Sequence, residues 1–210
     1  MKQFIIAVLT VSITAVVACN TSSNQTSEKK DTTSNGHMAM GSGKTNPEVT
    51  VNAPLTTASF KNVNADVSKH ITEVMSHYLH IKHALTKDDA AEAKNGATML
   101  LQVISQFDNS VLPADQKAEY NRDISAVKKH ADAIVKSSDV EAERMHFSEL
   151  SANTYELVKA FGAGQKIYYD HCPMAFNSKG ANWLSEKAAI QNPYMGTKMP
   201  ECGSVQQVIE

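Results

Sequence analysis

Four apolar seams at helical spacing constrain this chain more than any other feature. Val67, Ile71, Val74, Tyr78, Ile81 and Leu85 step by four and three, and so do Ala93, Ala97, Leu100, Ile104 and Phe107. The pattern recurs in Tyr120, Ile124, Val127, Ala131 and Ile134, and again in Phe147, Leu150, Thr154, Leu157 and Phe161. Each seam predicts one stripe of an amphipathic helix. Asn109, Ser110 and Pro113 separate the second seam from the third. Ser137-Ser138-Asp139 separates the third from the fourth, with Asp139 placed to cap the last helix. Gly162 and Gly164 stop that helix. Short connections favour antiparallel neighbours, so residues 57–164 read as an up-down four-helix bundle. The expected fold class is all-α, with an irregular Cys/Met segment, residues 165–210, packed on the bundle.

The chain has 210 residues, 42% of them hydrophobic, enough for one domain with a core. Lys+Arg number 20 against Asp+Glu 22, a net charge of -2, which leaves no basic face for a nucleic acid. At the start, Lys2 precedes an uncharged run from Phe4 to Val17, too short for a comfortable membrane span. The run ends Val16-Val17-Ala18-Cys19. This resembles the lipobox of bacterial lipoproteins. The resemblance implies a signal peptide over 1–18, lipidation of Cys19, and a membrane anchor that does not span. Asn20, in place of an Asp, implies by the same resemblance the outer membrane, with the domain in the periplasm. Residues 19–56 are rich in Ser, Thr, Asn, Gly and Lys and read as a flexible tether. Within it, His37, Met38 and Met40 offer an imidazole and two thioethers, either a secondary soft-ion site or a chance triplet.

The bundle histidines carry less. His80 and His83 lie away from the first seam and are one turn apart, close enough to share an ion, but they read as a solvated face. His70 and His77 flank that seam roughly 10 Å apart along the axis, too far to hold one ion together. His130 and His146 flank their own seams, and the edge carrying His146 could face the C-terminal segment. No Ser, His and carboxylate pattern and no Gly-rich phosphate loop stands out, so the chain reads as a binding protein and not an enzyme.

The C-terminal segment holds the chemistry. His171-Cys172-Pro173-Met174 places a thiol and a thioether two apart, on one side of an extended strand. Met199-Pro200-Glu201-Cys202-Gly203 places a second such pair at a turn, four residues after Met195. Thiolate and thioether sulfurs select Cu(I) over hard cations. The expected site is Cys172, Met174, Met199 and Cys202, with His171, Met195 or His146 as additions. The competing reading is a Cys172–Cys202 disulfide. It would close about thirty residues and contribute roughly 3–4 kcal/mol, with the methionines packed in the core.

The same segment resembles the signature of a periplasmic family of unknown function, which joins a helical region to a Cys-Pro-Met-Ala ending. Here the matching residues are Cys172-Pro173-Met174-Ala175, Gly180-Ala181, Trp183-Leu184-Ser185, Asn192-Pro193-Tyr194, Gly196, Met199 and Cys202-Gly203. With the helical part, the resemblance covers about residues 57–210. That family occurs as small lipoproteins and fused to adaptor subunits of heavy-metal efflux pumps. The resemblance therefore implies copper handling, with a heavy-metal efflux adaptor as a partner. The ending is similar, more distantly, to the short heavy-metal-binding domain of copper-efflux adaptors, from which Ala175 and Glu201 depart. The alternative function is a structural or interaction module of an envelope efflux system, with the disulfide and no metal. Trp183 reads as a packing residue that pins the segment to the bundle.

Overall fold

The computed structural model describes residues 51–210. The signal segment, Cys19 and the His37, Met38 and Met40 triplet lie outside the described residues. Four helices form where the seams place them: α1 (Ala65–Leu85), α2 (Ala90–Gln106), α3 (Ala114–Lys136) and α4 (Val140–Phe161). Every seam residue is buried except Phe107, which is partly buried at the end of its stripe. Each helix packs on the next, and α4 returns to α1. Local chemistry sets the ends. The Asn64 side chain accepts from the Asp66 N–H, Asp89 from Glu92, and Asp139 from Ala142, each satisfying an orphan donor of a first turn. The Gly162 N–H closes α4 on the Val158 carbonyl at 2.8 Å.

The all-α expectation fails after α4. Ile167–Cys172 (β2), Ala181–Ser185 (β3) and Ser204–Ile209 (β4) are strands, and with Leu55–Thr56 (β1) they make a mixed four-stranded sheet in the order β1-β4-β2-β3. β2 is antiparallel to both β3 and β4, and β1 runs parallel to β4. The physical reason lies in the composition of these runs. Ile-Tyr-Tyr, Asn-Trp-Leu and Val-Gln-Gln-Val-Ile are rich in aromatic and β-branched residues and too short to bury a helical stripe. The segment expected to be irregular thus gains a backbone ladder.

The expected tether over 19–56 also ends earlier than its composition implies. The Val208 N–H donates to the Pro54 carbonyl and the Glu210 N–H to the Thr56 carbonyl, both at 2.9 Å. Those two bonds hold the first described residues against the last strand.

Tyrosine hydroxyls join sheet to bundle. Tyr78, wholly buried on α1, accepts from the Leu184 N–H of β3 at 2.9 Å and meets Ser151 of α4 at 2.8 Å. The Tyr194 hydroxyl donates to the Asn182 carbonyl at 2.5 Å. Lys82, fully buried, reaches Ser185 at 3.2 Å and Glu186 at 3.1 Å, so its charge is paired where β3 ends.

Candidate metal centre

The last residue of β2 and the residue two before β4 bring the two cysteines together. Neither is bonded to another sulfur, and their Sγ atoms lie 3.0 Å apart. Cys172 is fully buried, and Cys202 is half-buried. The separation lies between two chemical end states. A covalent bond needs about 2 Å. Two thiolates on one tetrahedral ion, each about 2.3 Å from it, lie roughly 3.7 Å apart. A sub-ångström adjustment reaches either state. The neighbouring Cys172 thiol, followed by burial, pushes the Cys202 thiol up, while the Met174 N–H favours its thiolate. Uptake of an ion therefore competes with protons.

The loop holding Cys202 is built on one buried side chain. Asn192 accepts from the Tyr194 and Met195 N–H groups at 2.8 and 3.0 Å and donates to the Cys202 carbonyl at 2.6 Å. Its own N–H donates to the Pro200 carbonyl at 2.8 Å. The loop is fastened to the bundle through Arg144 of α4. That guanidinium donates to the Pro193 carbonyl at 2.8 Å and to the Leu85 carbonyl at 3.0 Å, and pairs with Asp88. Asp88 in turn accepts from the Thr197 N–H at 3.1 Å. The Thr197 bonds and Arg144 hold its carboxyl down, at about 2. At Gly203, φ is +142°, and a Cβ would meet the His171 carbonyl oxygen at 2.8 Å and the Trp183 ring at 2.9 Å. Glycine is what lets Cys202 lie this close to β2.

The first expected Cys/Met claw does not form as drawn, whereas Met199 and Cys202 do bracket a turn, closed by the Cys202 N–H on the Met199 carbonyl at 3.2 Å. Met174 is past the end of β2, in a helical backbone conformation, so it does not continue the strand face that carries Cys172. After it, Phe176, Asn177 and Ser178 all have φ between 50° and 65°, a left-handed turn at non-glycine residues. Such a turn costs about 1–2 kcal/mol per residue, and strain of this kind concentrates at functional sites. Met174 is 49% exposed and Met199 37%, which is not the core packing that the disulfide reading assigns them. Met174 and Met195 line one cavity of about 360 Å³ with Arg144, Phe176 and Tyr194.

The histidine additions are placed elsewhere. His171 pairs with Asn182 across β2 and β3, one residue before Cys172, and so points to the opposite face. Its Nδ1–H donates to Asn182 Oδ1 at 2.7 Å, and its ring lies over Gly180. His146 faces His130 of α3, with ring centroids 5.8 Å apart. Among the described residues no three His, Cys, Asp or Glu side chains converge as a ligand set. An ion at this site would therefore rest first on two thiolates, which are donors for a soft ion.

Sequence reasoning missed Asn192, Arg144 and Asp170. Asp170 lies on β2 opposite Trp183, fully buried, with neither oxygen hydrogen-bonded. Burial pushes its carboxyl up to about 7 against the pull of Lys82. Asn192 carried a signal, since Asn-Pro-Tyr is a turn sequence, but which atoms it would hold depends on the strand pairing.

Residues 74–166 match the model of a family described as a protein of unknown function (DUF3347). The match covers most of α1 and all of α2 to α4 and stops one residue short of β2, so it includes neither cysteine of the pair. No curated protein matches the chain, and no solved structure does.

Proposed function

We propose that this chain is a binding protein for a soft metal ion, Cu(I), held between Cys172 and Cys202. The observation that carries the reading is an unbonded pair of cysteine sulfurs 3.0 Å apart at the junction of two strands and a loop. The strained turn behind Met174 and the Asn192 clamp behind Cys202 support it, because both spend stability on placing sulfur-bearing backbone. So do the exposed thioethers. Among the described residues, Met99, Met145, Met174 and Met199 are four of the six exposed large hydrophobic side chains. The lipobox resemblance adds a proposed lipid anchor at Cys19 and a periplasmic setting. The family resemblance adds a heavy-metal efflux adaptor as the protein that would receive or supply the ion.

The second reading, a structural disulfide in an interaction module, rests on the same 3.0 Å approach. A Cu(I) titration under reducing conditions separates the two. Cys172→Ser with Cys202→Ser should abolish the tightest equivalent. Met174→Leu and Met199→Leu, which keep volume, should weaken it by a few-fold each, because thioethers are weaker soft donors. If the double serine variant binds Cu(I) like the parent while its melting temperature falls sharply, the cysteines are a structural bridge.

A further inference from the structure

The α1–α2 face holds a second set of soft and borderline donors away from the cysteines. α2 comes close to α1 at Gly96, where a Cβ would stand 3.0 Å from the Ile81 side chain and 3.3 Å from the His80 ring. α1 and α2 are joined by a four-residue loop, Thr86 to Asp89, and run antiparallel. Moving three residues on along α2 from Gly96 reaches Met99. Moving three residues back along α1 from His80 reaches His77. His77, His80 and Met99 accordingly line one open groove of about 670 Å³. His77 and His80 are one turn apart on the same helix face, a spacing at which two side chains can share an ion.

His80 is also prepared as a ligand. Its Nε2–H donates to the Glu92 carboxylate at 2.5 Å, which fixes the tautomer and leaves Nδ1 as an acceptor. A carboxylate behind an imidazole is the usual support of a metal-bound histidine. His83 lines the same groove, but at about 1.5 Å of rise per residue it lies roughly 9 Å along the axis from His77, too far for both to hold one ion, so it is left out of the set. Met99 is 39% exposed, and its thioether faces the groove instead of the core.

We propose that His77, His80 and Met99, with Glu92 behind His80, form a second and weaker Cu(I) site on the α1–α2 groove. Two imidazoles and one thioether prefer Cu(I) over hard cations, and water can complete the shell. The proposal does not depend on the cysteine site, and its test keeps the two apart. The full chain carrying Cys172→Ser and Cys202→Ser is titrated with Cu(I) against a chromophoric chelator, with Zn(II) titrated in parallel. One equivalent should remain. Adding His77→Gln and His80→Gln should weaken it at least tenfold with the melting temperature unchanged, since both rings are half-exposed. Adding Met99→Leu should weaken Cu(I) several-fold and leave Zn(II) unaffected. The proposal is overturned if the remaining equivalent survives the histidine changes, or if it disappears on replacing His37, Met38 and Met40 instead. Loss of the cysteine site in the parent protein would sink the proposed function and leave this result standing.

Discussion

Asn192 is the residue on which the candidate site depends most without supplying a sulfur. Its side chain makes three hydrogen bonds in a fully buried position, two to backbone N–H groups and one to the Cys202 carbonyl. Removing it leaves those groups without partners or water, at a cost of about 1–3 kcal/mol for each one left unsatisfied. Asn192→Ala should therefore lower the melting temperature by several degrees and weaken Cu(I) binding about tenfold or more, although every sulfur remains. Calorimetric melting and a chelator competition on the same sample check both effects. Unchanged affinity in a destabilised variant would mean that Cys202 does not need its loop. Asp170 carries no signal of its own in the sequence, because it is the pairing with Trp183 across β2 and β3 that takes it into the core.

The helices were legible because each carries its own evidence, a stripe that repeats every three or four residues over about four to five turns. The strands were not, for two reasons. They span six residues or fewer, and β3 buries Ala181, Trp183, Leu184 and Ser185 without the alternation that marks a half-exposed strand. Their partners also lie far along the chain, as with Leu55 and Val208, so no local window contains the pairing. The same limit explains the site. Cys172, Cys202 and the methionines stand out by type, but whether Met174 shares a face with Cys172 depends on where β2 ends, and the left-handed turn after Met174 decides that. His171 fails as a companion through simple strand alternation once β2 reaches it. The two-residue β1 gives a test at this scale. A chain beginning at residue 51 should melt above one beginning at residue 57, because the shorter chain loses the Val208 and Glu210 backbone bonds and the Gln207 contact with Thr56. The difference should be a few degrees, for about 2–3 kcal/mol of edge pairing in a domain of this size. Equal melting temperatures would mean that β1 adds nothing to the sheet.

The whole molecule joins a bundle to a small sheet, and two buried carboxyls at that level make its stability depend on pH. Glu143 on α4 is fully buried with neither oxygen hydrogen-bonded, and its nearest cation, Lys94, is 3.9 Å away. Burial pushes its carboxyl up to about 7 from an ordinary value of 4.5, and Asp170 rises to about 7 from 3.8 for the same first cause. A carboxyl raised on folding binds its proton more tightly in the native state. The stability it contributes is thus complete below the unfolded value and is lost as the pH rises through about 7. His70, pushed down to about 4 by burial, acts in the opposite direction as the pH rises towards its ordinary 6.5, so the carboxyl is read from a difference between variants. Glu143→Gln, which mimics the protonated form, should melt above the parent at pH 8 by a margin that shrinks towards pH 5. A margin that stays constant or widens on acidification would contradict the assignment. The central claim is that the sheet and its loop hold Cys172 and Cys202 as ligands to one soft ion. X-ray absorption at the copper edge, on protein loaded with one equivalent of Cu(I) and assayed for free thiols, tests it most directly. The account predicts a first shell of sulfur alone, two masked thiols, and loss of that shell in the double serine variant. A shell of nitrogen or oxygen, or no retained copper with both thiols already consumed in a disulfide, would contradict it.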